Sequence, residues 1–312
     1  MRIFIRMAAS IVGTVALLGA IAAIVLHFWP FAQKVPVAAA AVSPVLMAAT
    51  LALALVCLLS ARALFRVALA VLVAGVGIWV QSPLWRGDGS PAGPLLTVLN
   101  ANIQVGAGDV GVLAALVRDR RVDVLAVQEI TPEAAQRVAA STIAADLPHG
   151  FVRAAAGADG TALYSRYPLA STASIPGFLL EGLTAVATVP GRGDVQLFAL
   201  HPVPPVDVDT WQRELRQIDS LLHGVPAGRP VVALGDYNAT YDHTQFRRLL
   251  RDGYRDAGQS AGAGFLPTYP TDKAFPPVVG IDHVLIRGLT GADVSLHDVP
   301  GADHRAVLAT VG

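Results

Sequence analysis

The sequence predicts an α/β domain preceded by about three membrane-spanning helices. Three observations predict it. All 23 acidic residues of the 312-residue chain lie at or after Asp88. Three long apolar stretches fill the region before them. Beyond residue 94, short apolar runs alternate with helical patterns and end in polar residues. Hydrophobic residues make up 54% of the chain and charged residues 15%, with a mean hydropathy of +0.54, too apolar for one ordinary soluble globule. The formal net charge of zero averages two unlike regions: residues 81–312 hold 18 Lys/Arg against 23 Asp/Glu, a net of −5.

The apolar stretches are Met7–Trp29, Val35–Leu59 and Ala63–Val80, each near or above the ~20 residues a helix needs to cross a bilayer. In the third, only Val67–Val80 is uncharged; Arg66 snorkels to the headgroups, and Trp79 and Trp85 suit the opposite interface. A cleaved signal peptide is the alternative for the first stretch, but two further apolar segments follow directly. Arg2, Arg6, Arg62 and Arg66 flank one side of the spans and Lys34 and Arg86 the other. That balance puts the N-terminus in the cytoplasm and, after three spans, the C-terminal domain outside it; were the third stretch not to span, the domain would face inward. The single cysteine, Cys57, lies in the second stretch, so the domain holds no disulfide and depends on a hydrophobic core.

Residues 81–94 (QSPLWRGDGSPAGP) read as a linker. Leu95–Ile103 begins as an apolar strand, and period 2 places Asn100 and Asn102 on one face. Asp109 caps a helix running to Arg121. A strand over Val122–Val127 runs into Gln128 and Glu129. Further strands are expected at Thr161–Ser165, Leu183–Val189 and Val195–Leu200, the last followed by His201. Asp209 starts a helix with Trp211, Leu215, Ile218 and Leu222 at helical spacing. Strand Val231–Leu234 then delivers Gly235, Asp236 and Asn238, and Ile281–Ile286 and Ala306–Val311 close the domain. Apolar strands whose ends present polar residues form a crowded polar site when those ends share one sheet edge.

The polar ends supply Asn102, Glu129, His201, Asp236, Asn238, Asp282, Asp303 and His304. Oxygen donors without a cysteine suit a hard divalent ion, Mg²⁺ or Mn²⁺, better than structural zinc. Such an ion binds a phosphate and offsets charge growing in the transition state, and a histidine paired with a carboxylate makes a positioned base. Each residue alone also has a structural reading. Asn102 is also a strand-end turn-former, Asp236-x-Asn238 an Asx-turn, Asp282 a strand cap or surface ion-pair partner, and His201 a loop histidine.

The stretches LNANIQ (99–104), VQE (127–129), GTALYSRYPL (160–169), LHP (200–202), LGDYNA (234–239), IDHVLI (281–286) and ADHRAV (302–307) resemble, in order, the endonuclease/exonuclease/phosphatase superfamily of metal-dependent phosphoesterases. The resemblance covers about Leu95–Val311. It implies a two-sheet, four-layer α/β sandwich of DNase I-like type. It also implies Glu129 as main metal ligand, with Asn102 beside it and Asp303 completing the shell. Asp236 and Asn238 then position the nucleophilic water and hold the phosphate. His304 acts as base or stabilises the phosphorane, with Asp282 orienting its ring, and His201 binds a phosphate oxygen or helps protonate the leaving group. His283 stands where the family has an aromatic and reads as structural; Tyr164 and Arg166 read as packing and surface.

A nucleic-acid-binding face is usually basic, yet this domain is net negative with one lysine, Lys273. Arg247, Arg251 and Arg255 fall at i, i+4 spacing and read as a solvated helix face. The anchor raises the effective concentration of lipid head groups at the site. Three spans and an outward site resemble membrane-anchored bacterial members linked to lipid pyrophosphate hydrolysis in wall synthesis. The expected partners are therefore the bilayer and a phosphoester substrate, lipid-linked on this reading. The alternatives are a tethered nuclease acting on nucleic acid and a catalytically inactive, membrane-bound binding module; the full ligand set disfavours the last.

Overall fold

A computed structural model describes residues 1–312. The chain divides into two compact units, Met1–Pro83 with Tyr241–Thr244, and Leu84–Thr240 with Gln245–Gly312.

The first unit is helical: α1 (Arg2–Phe28), α2 (Lys34–Ala41), α3 (Ser43–Ser60) and α4 (Leu64–Gln81), with the short α5 (Pro83–Arg86) at its boundary. Helices α1, α3 and α4 are long and apolar enough to cross a membrane. The second apolar stretch of the sequence is not one helix. It breaks at Val42, and α3 restarts with Pro44 in its first turn, where a missing N–H is harmless; within a continuous helix the ring would clash with the carbonyl four residues back. Gly13 lets α1 approach α3: a Cβ there would stand 2.8 Å from Leu58 Cγ, the close contact that small residues permit between apolar helices. Asp242 belongs to this unit, accepting from Gln81 Nε2 at 2.8 Å and facing His27 Nδ1 at 2.8 Å.

The second unit runs β1 (Leu96–Asn102), α6 (Val110–Asp119), β2 (Val124–Gln128), α7 (Pro132–Ala139), α8 (Ile143–Asp146), β3 (His149–Arg153), β4 (Thr161–Ser165), β5 (Leu169–Ser174), β6 (Leu183–Val189), β7 (Gly193–Leu200), α9 (Val208–His223), β8 (Val231–Asp236), α10 (Thr244–Leu249), β9 (Arg255–Asp256), α11 (Ala257–Ala261), β10 (Asp282–Arg287), β11 (Gly291–Asp298) and β12 (Arg305–Val311). The strands form two six-stranded sheets, ordered β11-β12-β1-β2-β4-β3 and β5-β6-β7-β8-β10-β9. Each sheet has one parallel pair, β1–β2 and β7–β8, joined through helices α6 and α9 respectively; the remaining pairs are antiparallel.

Alternation along the strands builds the layers. Leu96, Val98, Val124 and Ala126 of one sheet meet Leu197, Ala199, Val232, Leu234 and Val284 of the other in a buried inter-sheet core. The opposite face of the first sheet, with Leu99, Ala101, Leu125 and Val127, packs on Leu113 and Val117 of α6, Val138 of α7 and Ile143 of α8. Asp109 caps α6 by accepting from Gly111 N and Val112 N.

Two expectations are corrected, and four strands go beyond those the sequence announces. The cap of α9 is Asp207, which accepts from Thr210 N, so the helix opens before Asp209; both aspartates lie in the dipole-favoured first turn, and spacing alone does not separate them. Arg247, Arg251 and Arg255 do not share a helix face. Helix α10 stops at Leu249, Asp252 and Gly253 turn the chain with positive φ, and Arg251 and Arg255 approach Asp219 (3.6 Å) and Asp88 (3.7 Å). Finally, β3, β5, β9 and β11 carry too weak an apolar alternation to announce themselves; β5 (LASTAS) is exposed at five of its six positions.

Candidate active site

The inter-sheet face of five strands changes from apolar to polar at the same end. Val98 leads to Asn100 and Asn102, Ala126 to Gln128, Ala199 to His201, Leu234 to Asp236, and Val284 back to Asp282. Period 2 fixes this, because residues i and i+2 share a face. Parallel pairing brings Asn102 opposite Gln128 and Leu200 opposite Gly235, so the carboxyl ends of the two parallel pairs open together. Asp282 pairs with Asp236 across β10–β8.

Gly235 is required where it stands. A Cβ there would lie 2.3 Å from the carbonyl oxygen of Leu200, so no larger residue lets β8 lie this close to β7 just before Asp236. Two of the residues beyond the strand ends take left-handed backbone: Glu129 has φ 60° and Asn238 φ 48°. Non-glycine residues there are strained, and such strain concentrates at functional sites. Strict alternation would give Glu129 to the outer face of its sheet; past the left-handed turn its carboxylate instead meets the site.

Asn102 Nδ2 donates to Glu129 Oε1 at 3.0 Å and to Asp236 Oδ2 at 3.1 Å. Glu129 Oε2 accepts from Val105 N at 2.8 Å. His304 Nδ1 sits 2.8 Å from Asp282 Oδ2, with Nε2 3.7 Å from Asp236 Oδ2 and 3.9 Å from Asp303 Oδ1. His201 Nε2 faces Asp236 Oδ2 at 3.7 Å and Glu129 Oε1 at 3.9 Å. Asp236 Oδ1 accepts from Asn238 N at 2.9 Å, an Asx-turn that leaves Oδ2 free to face the histidines. All eight residues singled out in the sequence therefore converge: seven are linked directly by these contacts, and Asn238 enters through its turn with Asp236.

The electrostatics are one-sided. Burial pushes the Asp236 carboxyl up, His304 opposing and Asp282 adding to the rise. Burial likewise raises Asp303. Burial alone would lower His304, but Asp282 and Asp236 outweigh it and raise the ring to about 10. His201 is lowered, burial outweighing its attraction to Asp236. Four carboxylates thus face two histidines, and the burial of two of them is uncompensated, a field that favours a bound cation. Asp236, Asp282 and His304 place donor atoms within 4.8 Å of one another, but Asp282 and His304 are committed to each other. The carboxylate oxygens of Glu129 and Asp303 are fitting donors for a hard divalent ion, whereas Asn102 turns Nδ2 to Glu129 and Asp236 and its Oδ1 accepts from Gln104 N at 3.0 Å.

Three contacts carried no clear signal in the sequence. Asn100 Nδ2 donates to Asp282 Oδ1 at 3.4 Å, and Asn100 Oδ1 accepts from Gln128 Nε2 at 2.9 Å, so two buried amides back the Asp282–His304 pair; their period-2 positions were the available clue. The Tyr269 ring lies 4.8 Å from that of His304, and nothing in its sequence context marks it. Beside the site, an open cleft of about 610 Å³ is lined by Phe275, Pro276, Pro277, Pro300 and the only lysine of the unit, Lys273. That lysine lies 2.8 Å from Asp272.

His283 points away from this cluster. Its ring nitrogens meet Asp256 Oδ2 at 2.8 Å and the Ala239 carbonyl at 2.9 Å, with Phe246 stacked at 4.1 Å. Burial would lower its pKa, but the Asp256 hydrogen bond and charge raise it, because two acceptors require both nitrogens to donate. A raised histidine stabilises fully below its unfolded pKa of ~6.5, and the gain is lost as pH rises through the folded value. His283→Ala is expected to lower unfolding free energy by about 3 kcal/mol. Denaturant titrations of wild type should also weaken above neutrality in a way the variant does not share.

A family model describes residues 99–304 as "Endonuclease/Exonuclease/phosphatase family". The chain belongs to that family. The endonuclease/exonuclease/phosphatase family comprises hydrolases of phosphoester bonds, phosphatases or nucleases, that depend in general on a divalent metal. Among curated proteins no sequence matches the chain significantly. Among solved structures, D. rerio TDP2 complexed with a single-strand DNA product aligns at 17% identity and TM-score 0.60, over 70% of this chain and 99% of that one. An endonuclease/exonuclease/phosphatase from Beutenbergia cavernae aligns at 22% identity and TM-score 0.56, over 70% and 71%. A truncated Caenorhabditis elegans TDP2 aligns at 17% and 0.55, over 70% and 97%. Likeness at this identity establishes the DNase I-like fold.

Proposed function

We propose that the chain is a membrane-anchored, Mg²⁺- or Mn²⁺-dependent phosphoesterase that hydrolyses a phosphate ester or pyrophosphate bond of a lipid-linked substrate outside the cytoplasm. The observation that carries this reading is a buried cluster of carboxylates and two histidines in a domain of the phosphoesterase family, on a chain with three helices long and apolar enough to span a membrane. The basic flanks support the outward orientation. The net-negative charge of the domain supports a lipid phosphate over a nucleic-acid backbone.

Glu129 and Asp303 would hold the metal, whose part is to draw charge from the phosphate oxygens. Asp236 accepts the proton of the attacking water, which Asn238 orients with the phosphate. His304, held protonated by Asp282, donates to a phosphate oxygen as negative charge builds there. His201, neutral through burial, holds a second oxygen or passes a proton to the leaving group. Water adds to phosphorus as the ester or anhydride oxygen departs with a proton.

The nuclease alternative has one observation in its favour, the fold shared with a TDP2 captured with single-strand DNA product. Full-length protein in detergent, given plasmid DNA and a polyprenyl pyrophosphate with Mg²⁺ or with EDTA, separates the two. Metal-dependent phosphate release from the lipid alone is expected. Nicked plasmid with intact lipid would replace the reading by a tethered nuclease. Expression with a reporter active only in the cytoplasm fused to the C-terminus tests orientation, and signal there would overturn it.

A further inference from the structure

We propose that Trp211 and Glu214, one turn apart on α9, are positioning residues that clamp Asn238 to the His201 loop. The inference rests on the phosphoesterase reading of the site. Both side chains are fully buried. A buried carboxylate is costly unless its oxygens are satisfied, and those of Glu214 are taken by two backbone N–H groups, Leu179 N at 2.9 Å and Val203 N at 2.8 Å. An apolar side chain would fill this place in a helix kept only for its core, as Leu215, Ile218 and Leu222 do along the same helix.

The contacts close into a ring that begins and ends on α9. Glu214 fixes Val203, which follows Pro202, and Pro202 follows His201. The Pro202 carbonyl accepts from Asn238 Nδ2 at 3.0 Å, and the Asn238 carbonyl accepts from Trp211 Nε1 at 3.1 Å. With its own N–H on Asp236 Oδ1 at 2.9 Å, Asn238 is held at amide, carbonyl and side chain. These three bonds over-determine its left-handed φ of 48° and leave one Nδ2 hydrogen and Oδ1 for substrate and water. The helix that links β7 to β8 in sequence thereby sets the distance between the residues that follow those strands. Neither Trp211 nor Glu214 touches the reacting atoms; both act through Asn238 and the His201 loop.

Trp211→Phe removes the indole N–H and keeps a buried ring. On the substrate that the wild type hydrolyses, kcat is expected to fall about tenfold with KM within about twofold, as small misplacements of reacting groups cost rate rather than affinity. The same substitution in an Asn238→Ala background is expected to change kcat by less than about twofold, because the side chain that the contact positions is gone. A purely structural tryptophan would cost the same factor in both backgrounds, and that result would overturn the proposal, as would wild-type kcat in the single variant. If Trp211→Phe does not fold, Glu214→Gln measured in both backgrounds tests the ring from its other end. Asp236→Asn separates the two readings. If it is inactive while Trp211→Phe is fully active, only the clamp fails; if Asp236→Asn is fully active, the phosphoesterase site fails first.

Discussion

Asp236→Asn is expected to reduce turnover by at least about 10³-fold while the protein remains folded. General-base groups contribute about 10²–10⁴-fold, and Asp236 is placed to do more than one thing. Its Oδ1 holds Asn238 N at 2.9 Å, while Oδ2 meets Asn102 Nδ2 at 3.1 Å and faces His201 and His304 at 3.7 Å each. An asparagine keeps the Asx-turn but turns an NH₂ toward Asn102 and both histidines, so base and anionic partner are lost together. Because burial already pushes the carboxyl up, its neutral replacement should melt, without added metal, at or above the wild-type temperature. Turnover within tenfold of wild type, or a collapse of the melting transition, would count against the assignment.

His304→Ala is expected to lower kcat by about 10²–10³-fold, the scale of losing a preorganised donor to a developing oxyanion, with substrate KM changed far less. The more telling variant is Asp282→Asn. His304 stays protonated to about 10 because Asp282 and Asp236 together outweigh burial. With the Asp282 charge removed, the ring pKa drops and the protonated form is lost at lower pH. The alkaline limb of the kcat profile should therefore move toward neutrality, whereas an Asp282 that merely packs would leave it in place. An unmoved limb in Asp282→Asn would show that His304 is not the titrating donor.

Much of the site was legible because strand alternation is a strong local rule. Asn102, Asp236 and Asp282 each continue an apolar inter-sheet face by steps of two, and they occupy the places that rule assigns. His201 and Asn238 follow strand ends closely enough for the same reading. Glu129 was found through its motif rather than its parity, since its left-handed backbone breaks the alternation. The two-sheet architecture came through the resemblance, not from the strands, because nothing local says that β1 pairs with β12 across more than two hundred intervening residues. Tyr269 and Glu214 were invisible for the same reason: their meaning lies in contacts between elements distant in sequence. The arginines after Asp236 misled because spacing was read as helix where a glycine turn intervenes.

The inter-sheet core has a consequence for tolerance to change. Asn102 and Glu129 ride on one sheet, His201, Asp236, Asn238 and Asp282 on the other, and a layer of fully buried aliphatic side chains, among them Val98, Val124, Leu197, Leu234 and Val284, keeps the sheets at their spacing. The geometry of the candidate site is thus a gap between two plates, and the aliphatic layer is its shim. Close-packed interiors transmit a lost methylene as a shift of neighbouring groups. Drift in that layer would change every distance across the gap at once, so selection for catalysis would reach buried positions with no chemistry of their own.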